Sequence, residues 1–448
     1  MSRLGGLGEV GKIPELRRRI IFTILMLAVY RMGVYVSTPG IDIEALRQLF
    51  STEDGTIFGM INMFSGGSFE FFSIFTLGIM PYISVSIIIQ ILTPAVPALD
   101  ALKKEGEVGK RILTRYTRIG TILLALVQSF FISMGLENQG LVPDPGWQFR
   151  LSTVMTLTAG TAFIMWLGEQ ITEKGIGNGI SIIIFAGIIA QMPADLVALI
   201  ALAQTGEVAP LSVLLILGFC LCTIAAIVYV ERSHRKVPVQ YPRRMVGNNL
   251  AQAQTQYMPL KVNMAGVIPP IFAFALMYVP ATMGAFTQNE LLQEILAFLT
   301  PGSWGFTLVF IVLIFVFTFF YVPIIFNPED VADNLKKNGG FIPTVRPGKP
   351  TAEFLYRILN RLTFWGAIYI SAVCLVPQFF YFEMGAESFA YVFGGTAILI
   401  VVAVTLDTAS QIESFVVSRN YESFMSRTSK KKGGIGSMSY ARSRMLKR

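Results

Sequence analysis

The chain has 448 residues, of which 53% are hydrophobic and only 14% are charged, and its formal net charge is +8. A soluble domain carries about 25% charged residues, so this composition excludes an ordinary soluble protein and indicates an integral membrane protein. The positive balance resides in loops and in the tail, so it does not by itself indicate a nucleic-acid-binding domain.

Ten apolar stretches follow one another along the chain. Each has roughly 20 residues, the length that an α-helix needs to cross the hydrocarbon core of a bilayer. We therefore predict an all-α membrane protein with transmembrane spans at 20–38, 74–93, 116–136, 152–168, 180–203, 211–230, 264–284, 304–326, 363–382 and 389–410.

Basic residues alternate between the gaps that separate these stretches. Lysine and arginine are abundant in the gaps 100–115, 231–263 and 327–362. Gaps that contain neither residue lie between them, at 137–149, 204–210, 285–303 and 383–388. Because short basic loops remain in the cytoplasm, this alternation predicts that both ends of the chain are cytoplasmic.

The ten spans divide into two halves of five. Since each half has an odd number of spans, similar halves would be related as an inverted repeat, with a pathway between them near the middle of the membrane. The predicted segments are a cytoplasmic N-terminal segment 1–19, a first half 20–203, a second half 204–410 with large cytoplasmic loops 231–263 and 327–362, and a basic cytoplasmic tail 411–448 that we expect to be mostly disordered.

Two glycine patterns resemble nucleotide-binding loops without their context. Gly6, Gly11 and Lys12 have phosphate-loop spacing, but Ile13 stands where Ser or Thr must reach Mg²⁺, and no strand precedes it. The glycines of 175–179 join two predicted spans, which favours a tight cytoplasmic turn in which Asn178 caps the next helix. The chain is therefore not expected to have an ATPase of its own.

Metal and disulfide chemistry are not predicted either. Cys220, Cys222 and Cys374 all lie inside apolar spans, and the single histidine, His234, supplies no further ligand set. Buried cysteine behaves as a small apolar side chain, which is how we interpret all three. We predict no cofactor.

Residues 60–93 interrupt an apolar region with Gly66 and Gly67 and place Pro81 inside the following span. This pattern predicts a short half-inserted helix followed by a full one, since irregular backbone at membrane depth must be buried in protein or line a cavity. The alternative is a loop on the outer surface. Arg31 is the main charged residue within a span, and we expect it to face protein or to extend towards an interface.

The long loop 327–350 places Arg346 between Pro343 and Pro347. Two prolines stiffen the backbone, and a stiff, exposed arginine suits the docking of a partner. The alternative is an ordinary solvated charge of a cytoplasmic loop.

Several sequence strings resemble the SecY family of protein-conducting channels over nearly the whole chain. They are NMFSGG, LGIMPYISVSIIIQ, MWLGEQITEKGIGNGIS, PLKVNMAGVIP, NPEDVADNLKKNGGF, RPGK and FGGT. The resemblance implies two inverted five-helix halves around an hourglass pore. It also implies export of unfolded, signal-bearing polypeptides and lateral release of hydrophobic segments into the bilayer.

The resemblance further implies roles for particular residues. The implied constriction consists of six isoleucines, whose alternative role is ordinary helix packing: Ile79, Ile83, Ile180, Ile184, Ile271 and Ile400. The implied plug covers 61–72 and includes Asn62, Met63, Phe64, Ser65, Gly66 and Gly67. The implied lateral gate has polar positions that we expect to favour its closed state: Ser84, Gln90 and Gln128. The implied docking residues for a motor or ribosome are Arg243, Arg244 and Arg346.

The partners implied by the resemblance are small SecE-like and SecG-like membrane subunits, the motor ATPase SecA, the ribosome, unfolded preproteins with their signal sequences, and membrane lipid. The chain itself would be a passive channel in the bacterial inner membrane that performs no covalent chemistry. Two other functions remain open on the residues alone: a secondary transporter for a small solute, and an insertase that places membrane helices without exporting soluble chains.

Overall fold

The computed structural model describes residues 13–46, 62, 65–205, 209–241, 245–246, 249–250, 255–284, 298, 303–383 and 393–418. Helices dominate it. They are α1 Pro14–Val34, α2 Met80–Ala95, α3 Pro97–Lys104, α4 Glu107–Asn138, α5 Trp147–Lys174, α6 Gly179–Thr205, α7 Pro210–Glu231, α8 Ile268–Gly284, α9 Trp304–Ile325, α10 Pro328–Lys337, α11 Lys349–Glu383 and α12 Gly395–Ser418.

A helix coincides with every predicted span. Among the described residues, 7 helical segments are long and apolar enough to cross a membrane, or 8 if α2 and α3, which meet at 97°, form one bent span. The helix α8 is apolar over the shorter stretch Ile268–Met277. The helix α1 has 21 residues but begins with an arginine-rich turn. The predicted all-α membrane fold is therefore present.

The predicted start of the second span, residue 74, is wrong. Residues 66–79 form a series of turns, and α2 begins only at Met80. Pro81 occupies the first turn of α2, where its missing N–H costs no hydrogen bond. The apolar residues before Met80 are used instead to pack a buried, non-helical segment.

The loop 231–263 contains short strands, which the sequence analysis did not predict. Strand β1 (His234–Gln240) pairs antiparallel with β4 (Thr255–Lys261), and β2 (Met245–Val246) pairs with β3 (Asn249–Leu250). Val237 and Val239 point inwards from β1, while Lys236 and Pro238 are exposed. This alternation is the period of two that a strand with one buried face requires.

A bridge between Gln240 and Phe341 joins this hairpin to the loop 327–348. Their backbone N–H and C=O groups exchange hydrogen bonds of 2.8 and 2.9 Å. A separate apolar cluster of Val237, Val239, Leu260, Ile342, Leu355, Ile358 and Leu362 lies beneath the bridge. The loops 231–263 and 327–362 are thus packed on each other in their described parts, and this packing holds the turn that precedes Arg346.

The main core runs through both halves. One continuous apolar cluster combines buried side chains from α1, α2, α5, α6, α7, α8, α9, α11 and α12. The helix α2 packs against α4, and α8 contacts both of them. The helix α12 continues to Ser418, so the first residues of the predicted disordered tail are helical, and 419–448 lie outside the described residues.

Candidate functional site

The six isoleucines come from four helices and are withdrawn from solvent. Five of them are at most 8% exposed and belong to the main apolar cluster, and Ile180 packs against it as a partly buried side chain. Ile79 caps α2, and the N–H of Ile83 donates to its carbonyl over 3.1 Å. Because residues four apart share a helix face, Ile83 follows Ile79, and Ile184 follows Ile180, on one side of each helix.

This cluster contains many other side chains, so the isoleucines are shown only to be buried in the same apolar region. Their shared burial does not by itself define a ring, and the ring remains a prediction. What the cluster supplies chemically is a wall without hydrogen-bonding side chains at the positions that the sequence analysis selected. Such a wall does not bind a polypeptide specifically, and a narrow apolar constriction resists water and ions by dewetting.

The chain segment 65–76, hereafter the plug segment, is attached to the last turn of α1 by two adjacent side chains. The Tyr30 hydroxyl donates to the Ser65 carbonyl oxygen over 3.1 Å. Arg31 Nη1 donates to the Gly66 carbonyl oxygen over 2.7 Å. Arg31 therefore faces protein, one of the two positions expected for it from the sequence.

The plug segment also lies directly against α6. Gly66 has φ +71°, and a Cβ built on it would lie 2.8 Å from Gly187 Cα and 2.8 Å from the Tyr30 hydroxyl oxygen. Gln191 Nε2 approaches the Asn62 carbonyl oxygen at 3.4 Å. Only glycine combines this left-handed backbone with so close an approach.

Hydrogen bonds also hold the plug segment together internally. The hydroxyl oxygen of Ser68, which is fully buried, lies 2.8 Å from the carbonyl oxygens of both Ser65 and Phe75, and its single proton is donated to one of them or shared between them. The Gly67 N–H donates to the Asn62 carbonyl oxygen over 2.9 Å. The Ile74 N–H donates to the Val36 carbonyl oxygen, also over 2.9 Å, which ties the segment to the chain after α1.

Four of the six predicted plug residues are described and belong to this arrangement: Asn62, Ser65, Gly66 and Gly67. Met63, Phe64 and Ile61 lie outside the described residues. The sequence analysis did not identify Tyr30, Gly187 or Gln191. Each is an ordinary residue of an apolar span, and its role depends on a partner far away in the sequence.

The predicted gate residues lie on α2 (Ser84 and Gln90) and on α4 (Gln128), two helices that pack against each other and both contact α8. Gln128 is 1% exposed, and in the described structure neither its amide nitrogen nor its amide oxygen has a hydrogen-bond partner. The hydroxyl of Ser84, which is 7% exposed, is also unpaired there. Gln90 Nε2 donates to Ser86 Oγ within α2 over 3.0 Å.

In the described structure Gln128 and Ser84 make no hydrogen bond across helices that would favour a closed gate, and the gate role of these residues stays a prediction. A polar group stabilises a helix interface through the hydrogen bond that it forms across it. An unpaired buried polar group has the opposite effect, because it loses its bonds to water without replacement. Gln90 forms its bond within its own helix, so that bond does not join two helices.

Arg346 is exposed and directly follows a hydrogen-bonded turn of the loop 327–362. Pro343 and Thr344 form the centre of a turn that the Val345 N–H closes by donating to the Ile342 carbonyl oxygen over 3.1 Å. Thr344 has φ +73°, a value that such turns normally assign to glycine. The Thr351 hydroxyl donates to the Arg346 carbonyl oxygen over 2.8 Å, which fixes the backbone. Arg243 and Arg244 lie outside the described residues.

The family model for SecY matches residues 73–409, well over half of the chain. This chain belongs to the SecY family. It is 45% identical over 424 residues to the protein translocase subunit SecY of Thermus thermophilus, a match that covers 93% of this chain and 96% of the relative. It is 46% identical over 438 residues to the subunit of the same name from Escherichia coli, covering 96% of this chain and 97% of the relative.

Solved structures of this fold are also similar. One described as a protein-conducting channel has a TM-score of 0.62 at 16% sequence identity, covering 88% of this chain and 91% of that one. Another, with a TM-score of 0.60, 17% identity and the same two coverages, is described by the statement that the SecY plug domain stabilises the closed state and maintains a membrane seal. At these identities the likeness establishes the SecY fold.

Proposed function

We propose that this chain is the protein-conducting channel subunit of a translocase, which exports unfolded, signal-bearing polypeptides and releases hydrophobic segments sideways into the bilayer. The observation that carries this proposal is its membership of the SecY family over nearly its full length. The solute-transporter alternative has less support, because the predicted pathway is lined by isoleucine and lacks the ionisable relay that ion coupling needs.

In this proposal the six isoleucines form the constriction and the plug segment seals it from the outer side. A translocating chain has any sequence, so the constriction must contact it without recognising it. Branched alkyl groups meet this need, since they offer no hydrogen bonds and close again behind the chain. The packed cluster around Ile79, Ile184 and Ile400 fits the closed state of such a pore.

The lateral gate is proposed at the contact of α2 and α4 with α8. Helices can part there without exposing unpaired backbone groups, because each helix satisfies its own backbone hydrogen bonds. Among the described residues Ser84 and Gln128 have no hydrogen-bond partner. A signal segment or water that supplied such partners would therefore favour the open gate.

The chain performs no covalent chemistry in this proposal, and the energy comes from SecA, from elongation on the ribosome or from the proton-motive force. Arg346, and with it Arg243 and Arg244, would dock the motor or the ribosome. SecE-like and SecG-like subunits complete the complex. The proposed location is the bacterial inner membrane, with both termini in the cytoplasm, in agreement with the basic loops.

Reconstitution tests the proposal. The chain is inserted into liposomes with its SecE-like and SecG-like partners, and SecA, ATP and a signal-bearing precursor are added, followed by protease. We expect the precursor to become protected in an ATP-dependent manner. Absence of protection, with the complex shown to be folded, would contradict export, and insertion of a membrane segment under the same conditions would then favour the insertase function.

The same liposomes test the docking residue. Arg346→Glu is expected to abolish SecA-driven protection, because it reverses the charge on a fixed, exposed turn. Arg235→Glu is the matched control, since Arg235 is also an exposed cytoplasmic arginine but lies on β1. Equal loss in both variants would show a general charge effect, and normal export by Arg346→Glu would remove Arg346 from the docking site.

A further inference from the structure

Arg31 has an unusual set of contacts for a charged residue in a membrane helix. It lies in the last turn of α1 and is partly buried. Within the described residues no carboxylate forms an ion pair with it. Its contacts are the Gly66 carbonyl oxygen at 2.7 Å, the Tyr35 hydroxyl at 3.5 Å and the Tyr35 ring, whose centroid is 5.6 Å from the guanidinium carbon.

The end of α1 favours any positive charge, but the hydrogen bond to the Gly66 carbonyl links Arg31 to the plug segment in particular. Positive charge near the C-terminal end of a helix is stabilised by the helix dipole. A charged side chain withdrawn from water still needs strong hydrogen-bond acceptors. Among the described residues its closest acceptor is a backbone carbonyl of the plug segment, so the solvation of Arg31 depends on where that segment lies.

Tyr30 acts on the same segment through the neighbouring carbonyl. Its ring is 2% exposed and stacks on Phe75 with 5.9 Å between centroids, while its hydroxyl donates to the Ser65 carbonyl oxygen. Two adjacent side chains of α1 thus bind two adjacent carbonyls. We call Tyr30 and Arg31 together the α1 clamp.

We propose that the α1 clamp consists of positioning residues that hold the plug segment in the closed channel and thereby set how often the channel opens at rest. The inference rests on the proposed role of this segment as a plug. When the segment leaves, both donors lose their acceptors, and water must replace them. The two hydrogen bonds are therefore made only in the closed state, which is the condition for a contact that shifts a two-state equilibrium.

The expected sizes follow from the two kinds of hydrogen bond. A bond from a charged donor contributes more than one from a neutral hydroxyl, so Arg31→Gln is expected to raise the resting open probability by ~10-fold or more and Tyr30→Phe by ~3-fold to 10-fold. Arg31→Lys keeps a positive charge but not the planar fork, and is expected to restore the wild-type value in part.

Two measurements on the full complex separate the clamp from the plug. The first is the resting ion conductance of the complex in planar bilayers. The second is the rate at which a membrane-impermeant thiol reagent, added from outside to proteoliposomes, labels Ser65→Cys, a site that is 3% exposed when the segment is docked. Labelling of the parent without this cysteine gives the background from the native cysteines.

A matched control exists for the hydroxyl. Tyr369→Phe, in α11, also removes a buried hydroxyl, but one without a hydrogen-bond partner in the described structure. It is expected to change neither measurement. Tyr30→Phe keeps the ring and its stacking, so it remains informative even if Arg31→Gln does not fold.

The outcomes are distinct. Faster labelling together with higher conductance in the clamp variants supports the inference. Unchanged labelling in a folded Tyr30→Phe or Arg31→Gln complex overturns the clamp. Faster labelling with unchanged conductance would show that the clamp holds the segment but that the segment does not seal the channel, which overturns the proposed plug.

Discussion

The plug segment and the gate interface both bury polar groups inside the membrane region, and they treat them in opposite ways. In the plug segment, the Ser68 hydroxyl and the carbonyls of Ser65 and Gly66 have hydrogen-bond partners. At the gate, Gln128 and Ser84 have none in the described structure. A segment held by such hydrogen bonds is expected to move as one unit, whereas an interface with unpaired groups is easily opened by anything that pairs with them.

The largest effect is expected when a side chain is placed where the plug segment approaches α6. Gly66→Ala combines a left-handed backbone, which costs about 1–2 kcal/mol for a non-glycine residue, with a Cβ against the backbone of Gly187. We expect the docked segment to be destabilised by at least that amount and the resting complex to conduct ions continuously in planar bilayers.

Gly218→Ala is the control for this change. Gly218 lies in α7, and a Cβ added there meets nothing within 4 Å. It should leave the conductance unchanged and should slightly favour the helix, since alanine is the better helix former. A Gly66→Ala complex that is folded but conducts no ions at rest would mean that the segment can dock without the close contact.

A variant without the apolar constriction tests whether the plug segment alone can seal the channel. Ile83→Gly combined with Ile184→Gly deletes two buried side chains of the proposed ring. We expect a persistent ion leak, because a wider and less apolar constriction admits water. The leak should be smaller than that of Gly66→Ala, since the plug segment stays in place.

The matching control removes an equally large aliphatic side chain from the exposed face of α7. Leu214 is 68% exposed, so Leu214→Gly alters helix propensity without touching the core. Conductance of the double isoleucine variant at the wild-type level would assign Ile83 and Ile184 to ordinary helix packing. It would also leave the plug segment as the sole seal.

The plug segment and the gate differ in how much of their structure the sequence predicts. Span positions and the break at Gly66 follow from apolar length and glycine chemistry, and both are present in the structure. The turns before Met80 were missed because an apolar stretch indicates a helix unless its backbone partners are known. Here the partners include Val36, which pairs with Ile74.

The gate shows the same limit in its polar groups. Ser84, Gln90 and Gln128 could be selected through the family resemblance, but whether each finds a partner depends on side-chain contacts between separate helices. Asn178, by contrast, was predicted to cap the following helix, and its Oδ1 accepts from the N–H of Ile180 over 3.1 Å. Its partner is two residues away, so the local sequence sufficed.

Gln128→Leu tests whether the unpaired amide at the gate favours opening. An unpaired buried amide costs about 1–3 kcal/mol, so an apolar side chain of similar size should stabilise the closed gate. We expect export of precursors with weakly hydrophobic signals to fall by roughly 5-fold or more. Strongly hydrophobic signals should be affected less, because they have free energy in excess of that needed to open the gate.

Gln90→Leu is the control for Gln128→Leu, since the Gln90 amide is partly exposed and bonded within α2. It should change export only slightly. If both substitutions reduced export of weak signals equally, burial without a partner would not be the cause.

Ser84→Ala is expected to act in the same direction as Gln128→Leu but more weakly. A single unpaired hydroxyl, 7% exposed, is lost, and the change leaves a space of only one atom. Stabilisation of the closed gate by about 1 kcal/mol corresponds to a drop of roughly 5-fold in export of weak signals at most. Protease protection with a graded series of signal sequences measures it.

Ser86→Ala gives the opposite control on the same helix, because Ser86 Oγ accepts the hydrogen bond of Gln90. Its loss frees the Gln90 amide and should not stabilise the closed gate. The two serines are chemically identical but differ in burial as well as in partners, since Ser84 is buried and Ser86 is only partly buried, so a difference between them would reflect both. If both substitutions changed export equally, the polarity of the side chain and not its missing partner would control the gate. The difference in hydrogen bonding between the gate and the plug segment would then not explain how the gate opens.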